Sequence, residues 1–328
     1  MDNSSSPVKP LVSFAASQTF NIFNFLLISL PISLFGMFSN VVNTIVFYKM
    51  GLTESSNVNF AVLSVSDFFV SLSCMLTRGL HNALWKDMPI WPWLAYAAHC
   101  TGHSTFVFIS GSAMITTLIS AERCVCVLFP LKVKSLLTRE RSLFLTITVV
   151  AHHMLFLIIV YADTGPPYNT YPKKLSFYNF IFYTVPTTTC FFLVIITTIL
   201  LVDRLRRNSK WRADTNNQNE RKADKDNRLV RTIIAISTLF IVCTFPNVTL
   251  INLHFVYPQF TYLNAYLTTL VPLVFGISQN FQQFSSAVNM LFYFKLSSKY
   301  KKVILTMFPF VASSDHDSQE ATQVTKSH

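Results

Sequence analysis

Few side chains among these 328 residues can do chemistry, and their placement narrows what that chemistry is. Glu122 and Arg123 stand together behind Met88 to Ala121, a stretch without Asp, Glu, Lys or Arg. Asp67 is a lone acid, and Arg78 a lone base, in an earlier apolar stretch. A charge at a bilayer centre costs roughly 2.5–3.5 kcal/mol on insertion scales, so such groups sit at an interface or are kept for a function. The chemistry on offer is ion pairing, hydrogen bonding and cation or proton binding. Bond making is not: the chain has only 7 Gly, no phosphate-cradling glycine loop and no H-E-x-x-H, so no enzyme is expected. His99 and His103 share a helix face and His152 and His153 are adjacent, but neither pair has a third ligand, so no metal site is expected either.

The elements that hold these residues must be membrane helices. Hydrophobic residues make up 51% of the chain and charged residues 12%, with 31 Phe, more apolar matter than a soluble surface of this size could cover. A helix rising about 1.5 Å per residue needs about 20 residues to cross the hydrocarbon. The charge-free windows then divide into spans near 22–48, 57–80, 94–126, 141–162, 177–203, 228–256 and 262–293, with a turn at Tyr257-Pro258-Gln259 inside the longest window, Thr232 to Phe294. The fold class is an all-α seven-helix membrane bundle. Residues 1–21 form an outer tail, 22–294 the bundle, 295–308 an amphipathic inner helix and 309–328 an inner tail. With the N-terminus outside, only Lys9, Arg78, Lys86, Lys173 and Lys174 of the 26 basic residues remain outside. The formal +11 charge is therefore a positive-inside bias facing membrane lipid, and nucleic acid is not an expected partner.

Asn3 begins a glycosylation sequon in the outer tail, and the first span should serve as an uncleaved signal anchor. The segment Arg204 to Asn227 is a basic, polar inner loop. Polar residues within the spans should face the bundle interior, since lipid offers them no partner.

In order along the chain, several short patterns resemble those of the rhodopsin-like (class A) G-protein-coupled receptors. Ser39-Asn40-Val41-Val42 resembles the first-helix pattern, Asn57 to Asp67 the second, Glu122-Arg123-Cys124 the E/D-R-Y motif with Pro130-Leu131 following, and Pro186 the fifth-helix proline. Cys243-Thr244-Phe245-Pro246 resembles C-W-x-P, and Asn289-Met290-Leu291-Phe292-Tyr293 resembles N-P-x-x-Y. Within the class, the run from Glu122 to Thr138 resembles chemosensory-type and neuropeptide-type receptors of molluscs and related invertebrates.

The resemblance implies roles. Asp67 with Asn40, Ser112, Ser286 and Asn289 would form a mid-membrane cluster able to hold Na⁺ as an allosteric ion, no other cofactor being implied. Arg123 would pair with Glu122 and with Asp226 on the sixth helix until that helix swings outward. A heterotrimeric G protein would then meet Arg123, Tyr293, Pro130 and Leu131. Phosphorylation of the tail, which carries Ser313, Ser314, Ser318, Thr322, Thr325 and Ser327, would suit an arrestin-like partner. Thr244 stands where the family has a Trp, so Phe240 and Phe245 become the substitutes in the relay with Pro186. Met290 replaces a Pro, and His152-His153 lie where a fourth-helix Trp is expected. Cys100 is off register for the family's outer disulfide, which is not expected to form.

The same register places Thr105, Phe106, Ile109, Tyr178, Phe182, Asn247, Ile251, Gln279, Gln282 and Gln283 in an outer ligand cavity with Arg78 and His81 at its rim. Thr105 is not the acid an amine ligand needs, and Gln283 is not the Schiff-base lysine of a photopigment. A peptide or a small odorant-like molecule fits a neutral, aromatic, amide-lined cavity, with Arg78 able to meet a carboxylate or carbonyl. The expected protein is a multi-pass plasma-membrane receptor with its C-terminus in the cytoplasm. The competing readings are a receptor-like scaffold that does not signal and, more remotely, an ion or proton pathway or transporter.

Overall fold

The computed structural model describes residues 8–129, 139–163, 177–214, 220–261 and 263–309, with the side chains of residues 83, 139, 163, 208–214 and 220–229 outside that description. Asn3, Pro130, Leu131 and the tail serines and threonines therefore lie outside the described residues, as does the side chain of Asp226. The described chain is helical from end to end. A continuous rod, α1, runs over Phe14–Met50. It is followed by α2 (Ser55–Leu80), α3 (Trp91–Leu128), α4 (Arg139–Asp163), α5 (Val185–Asp214), α6 (Glu220–Val256), α7 (Leu270–Leu296) and the short α8 (Ser298–Met307).

Local chemistry fixes several ends. Ser13 caps α1 by accepting from the Ala16 amide at 3.2 Å, so the helix begins in what the sequence reads as tail. Gly51, with φ 93°, takes the left-handed turn that ends α1. Ser297 caps α8, whose Tyr300 and Ile304 are buried against the bundle while Lys301 lies over the Phe294 ring. Between α6 and α7 the chain makes turns over residues 257–261 and 263–269, so α7 starts at Leu270 and not at 262 as its charge-free sequence suggests. Six of the long helices are apolar enough along their length to be recognised as membrane spans on composition. The seventh, α7, is diluted by buried Ser278, Asn280, Gln282, Gln283, Ser285, Ser286 and Asn289, which face the other helices.

Two wide π turns interrupt the rods, and both directly precede a proline. Asn24–Ser29 precedes Pro31, and Phe180–Thr184 precedes Pro186. Proline cannot donate to the carbonyl four residues earlier and its ring crowds it, so the turn widens and the amide just before the proline reaches back five residues. The Leu30 amide accordingly donates to Phe25 and the Val185 amide to Phe180. Side chains such as Phe38, Phe144, Phe192 and Leu291 point outward, as lipid-facing residues of a bundle do.

Candidate functional site

The polar residues gather at three levels. At mid-bundle Asp67 is buried, and Ser112 Oγ donates to its Oδ1 at 2.6 Å while Asn289 Nδ2 donates to its Oδ2 at 2.9 Å. The Ser286 side chain lies beside the carboxyl group. This node ties α2, α3 and α7. Asn40 does not join it: its Nδ2 donates to the carbonyls of Gly36 (2.9 Å) and Ser286 (3.1 Å), and its Oδ1 accepts from Asn43. The reason is proximity of the α7 backbone, which claims the amide before it can reach the carboxylate. Beside the node lies a cavity of about 20 Å³ lined by Ser112, Phe240, Thr244, Gln282, Ser286 and Asn289 among others, enough for a water molecule. It opens where Thr244 replaces an indole.

Phe240 and Thr244 are both buried next to this cavity, as the relay reading expects. Phe245 is not, being 59% exposed on the outer face of α6. One residue along a helix turns the side chain by about 100°, which carries Phe245 away from the inward face shared by Cys243 and Thr244.

In the outer half, Phe106, Ile109, Tyr183 and Ile251 pack with Val70, Cys74 and Phe275. Asn247 Nδ2 donates to the Tyr183 hydroxyl at 2.7 Å, and the Phe106 and Tyr183 rings lie 4.8 Å apart. Thr105 is buried nearby, 3.3 Å from the Thr77 hydroxyl. Tyr178 and Phe182 depart from the expected cavity: they pack with Val107, Phe156 and Val160, and Phe182 stacks on Phe156 at 5.1 Å. The π turn before Pro186 adds a residue to the turn and rotates the preceding side chains, which brings Tyr183 inward instead. Pro186 itself was the available signal.

Arg78 also differs from a rim residue. Its guanidinium donates to Asn280 Oδ1, to the Gly276 carbonyl at 2.7 Å and to Gln279 Oε1 at 3.4 Å. Asn280 in turn donates to Asn24 at 2.6 Å, so one chain of bonds joins α2, α7 and α1. Gln283 is withdrawn from the cavity into the α1 contact, where it bonds Ser29 and Ser33. Gln282 stays buried toward the centre.

At the inner end Glu122 is buried and accepts from Asn59 Nδ2 at 2.9 Å and Ser55 Oγ at 3.4 Å. Asn59 also engages Ser142 and Thr146 of α4. Among the described residues no ion pair joins Glu122 to Arg123, which corrects the expected pairing; successive helical side chains diverge, and the α2 amide satisfies the acid. Tyr293 is 2% exposed and sits among Phe47, Phe60 and Tyr300, with ring centroids 5.0–5.5 Å away. This inner core is closed.

A helical bundle crossing a membrane seven times, carrying a polar node at its centre and an acid–arginine pair at one end of its third helix, is a membrane receptor of the seven-helix kind. The family model described as 7 transmembrane receptor (rhodopsin family) matches residues 39–293, and the chain belongs to that family. It is a G-protein-coupled receptor and not an enzyme. It is 25% identical over 320 residues to human neuromedin-U receptor 2, covering 88% of this chain and 73% of that protein. Its fold is similar to that of squid rhodopsin in its crystal structure, with a TM-score of 0.60 and 19% identity over 92% of this chain and 87% of that one.

Proposed function

We propose that this receptor sits in the plasma membrane with its N-terminus outside and binds an extracellular peptide or small molecule above the Phe106–Tyr183 cluster. The observation that carries the reading is the Asp67 node, which joins three helices midway between an outer cluster and a closed inner core. Ligand contact with Asn247 or Ile251 would bear on α6, and α6 meets the cavity beneath through Thr244 and Phe240. Pro246 removes a backbone bond inside α6 at that height, giving the helix a place to bend. Outward movement of α6 would free Arg123, and with it Tyr293, for the G protein, with Pro130 and Leu131 adding contacts from the inner loop and Asp226 acting as the resting partner of Arg123. The likeness to a neuromedin-U receptor supports a peptide ligand.

Na⁺ fits the node as a modulator. The carboxylate of Asp67, the hydroxyls of Ser112 and Ser286, and the Asn289 amide oxygen, which is buried without a hydrogen-bond partner among the described residues, form a hard-oxygen set beside the small cavity. Bound there, the ion would favour the closed packing. A phosphorylated tail would recruit an arrestin-like protein.

The test is nucleotide exchange on a panel of G proteins in membranes carrying the full chain or its Arg123→Ala variant, with Na⁺ or K⁺ as the salt cation. Exchange above that of empty membranes, altered by Arg123→Ala and lowered by Na⁺ in the parent but not in Asp67→Asn, is expected. Equal exchange in all membranes, with the protein at the surface, sinks the coupling route.

A further inference from the structure

Arg78 is a cation set into the wall of the bundle with no anion beside it among the described residues. All its hydrogen-bond acceptors are neutral: the Asn280 and Gln279 amide oxygens and the Gly276 carbonyl. Among the described residues no carboxylate pairs with it. The sequence offers little elsewhere, because with the N-terminus outside the acids of that side are Asp2, Asp87 and Asp163 alone, and Asp87 is exposed in the loop after α2. Neutral partners satisfy N–H groups but leave the charge uncompensated, and a partly desolvated charge without a counter-ion is the costly case. The acceptors described use up to three of the five N–H donors of a guanidinium, so part of the fork remains free.

The fork is also held in place. Asn280 is fixed by Asn24, and Arg78 lies one helical turn beyond Cys74, which belongs to the apolar cluster containing Phe106, Tyr183 and Phe275. Phe275 adjoins the Gly276 carbonyl that Arg78 bonds. An oriented cation therefore stands one helical turn from a partly aromatic apolar cluster. Resting on the reading of this region as the ligand cavity, we propose that the ligand carries a carboxylate attached to an apolar or aromatic body, the carboxylate meeting the Arg78 fork and the body that cluster. A carboxylate oxygen can accept from an N–H that the amide neighbours leave free, and its charge supplies what those neighbours do not. Two sources share this chemistry: a small carboxylic acid, and the free C-terminus of a peptide ending in an apolar residue.

The experiment uses the full chain in lipid nanodiscs and matched probes: 3-phenylpropanoate and octanoate against their primary amides, and short peptides ending in Phe as free acid against the same peptides amidated. Affinity is read from the ligand-dependent rise of the unfolding midpoint, in the parent and in Arg78→Gln and Arg78→Lys. In at least one arm the acid is expected to bind at least about tenfold more tightly than its amide. Arg78→Gln should remove that preference, and Arg78→Lys, which keeps charge but not the fork, should retain a part of it. The arm that responds distinguishes the two sources. Amides that bind as well as acids, acids that bind Arg78→Gln as well as the parent, or no stabilisation by any acid in either arm would each overturn the proposal. Arg123-dependent nucleotide exchange, which needs no ligand, stands or falls separately, so a failed carboxylate is not confused with a failed receptor.

Discussion

The contact among α1, α2 and α7 is held by opposite means at its two ends. Outside, α1, α2 and α7 are joined by hydrogen bonds: Arg78 to Gly276 and Asn280, Asn280 to Asn24, Gln283 to Ser29 and Ser33. Inside, the same helices meet through rings, with Phe47, Phe60, Tyr293 and Tyr300 at the centre of an apolar cluster that extends to Ile233 and Ile236 of α6. In lipid, apolar side chains gain little by leaving one apolar medium for another, so the inner end relies on shape and dispersion. Directional bonds fix a ligand site in one arrangement, whereas a packed apolar face can part and close again at modest cost. On the proposed function, the side that holds a ligand is the bonded one and the side that opens is the packed one.

The contrast breaks first if the inner core is not one packed unit. Tyr293→Ala removes the ring that touches Phe47, Phe60 and Tyr300, and should lower stability by about 3–5 kcal/mol, read as a fall in the unfolding midpoint in nanodiscs. A loss below about 1 kcal/mol would mean the cluster is loose. Next comes Gly36, where α1 lies close against α2 and α7. A Cβ on Gly36 would stand 3.2 Å from Ala287 Cβ and from Ser71 Cβ, and closer still to Ser71 Oγ. The hydroxyl can rotate away but the two carbons cannot. Gly36→Ala should therefore cost about 1–3 kcal/mol, and Ser71→Ala in the same chain should recover only part of it.

Much of this arrangement was legible in the residues. The apolar windows yield the rods, and the offsets from Arg123, Pro246 and Tyr293 bring Asp67, Ser112, Ser286 and Asn289 together, because straight helices carry register reliably over two or three turns. What failed has local causes. Tyr178 and Phe182 were counted through a π turn as if it were an ordinary one, and Phe245 was taken inward although Thr244 already occupies that direction. Glu122 was paired with its neighbour in sequence when an amide from α2 lies within bonding distance. Asn59, Tyr183 and Asn280, which proved to be connectors, carry no motif, and only the assembled helices reveal their partners. The start of α1 at Phe14 depends on a serine cap in a segment whose composition is mixed.

The outer end gives smaller, graded effects. Gln283→Leu deletes bonds to Ser29 and Ser33 while keeping volume, and interhelical bonds within membranes average about 0.6 kcal/mol with a maximum near 1.7. A loss within that span is expected. A loss exceeding that of Tyr293→Ala would show that the polar end is the stronger of the two and would reverse the comparison.

The finest test returns to Tyr293 and separates its ring from its hydroxyl. The hydroxyl is buried and has no hydrogen-bond partner among the described residues, so in the closed state it contributes desolvation cost without a bond. Tyr293→Phe should therefore leave stability within about 0.5 kcal/mol of the parent, or raise it slightly, in contrast to Tyr293→Ala. If the hydroxyl finds its partner only when the inner end opens, the same change should reduce G-protein nucleotide exchange while the unfolding midpoint stays put. A midpoint that falls along with exchange would mean the hydroxyl already holds the closed state together, and the inner end would then be bonded as the outer end is.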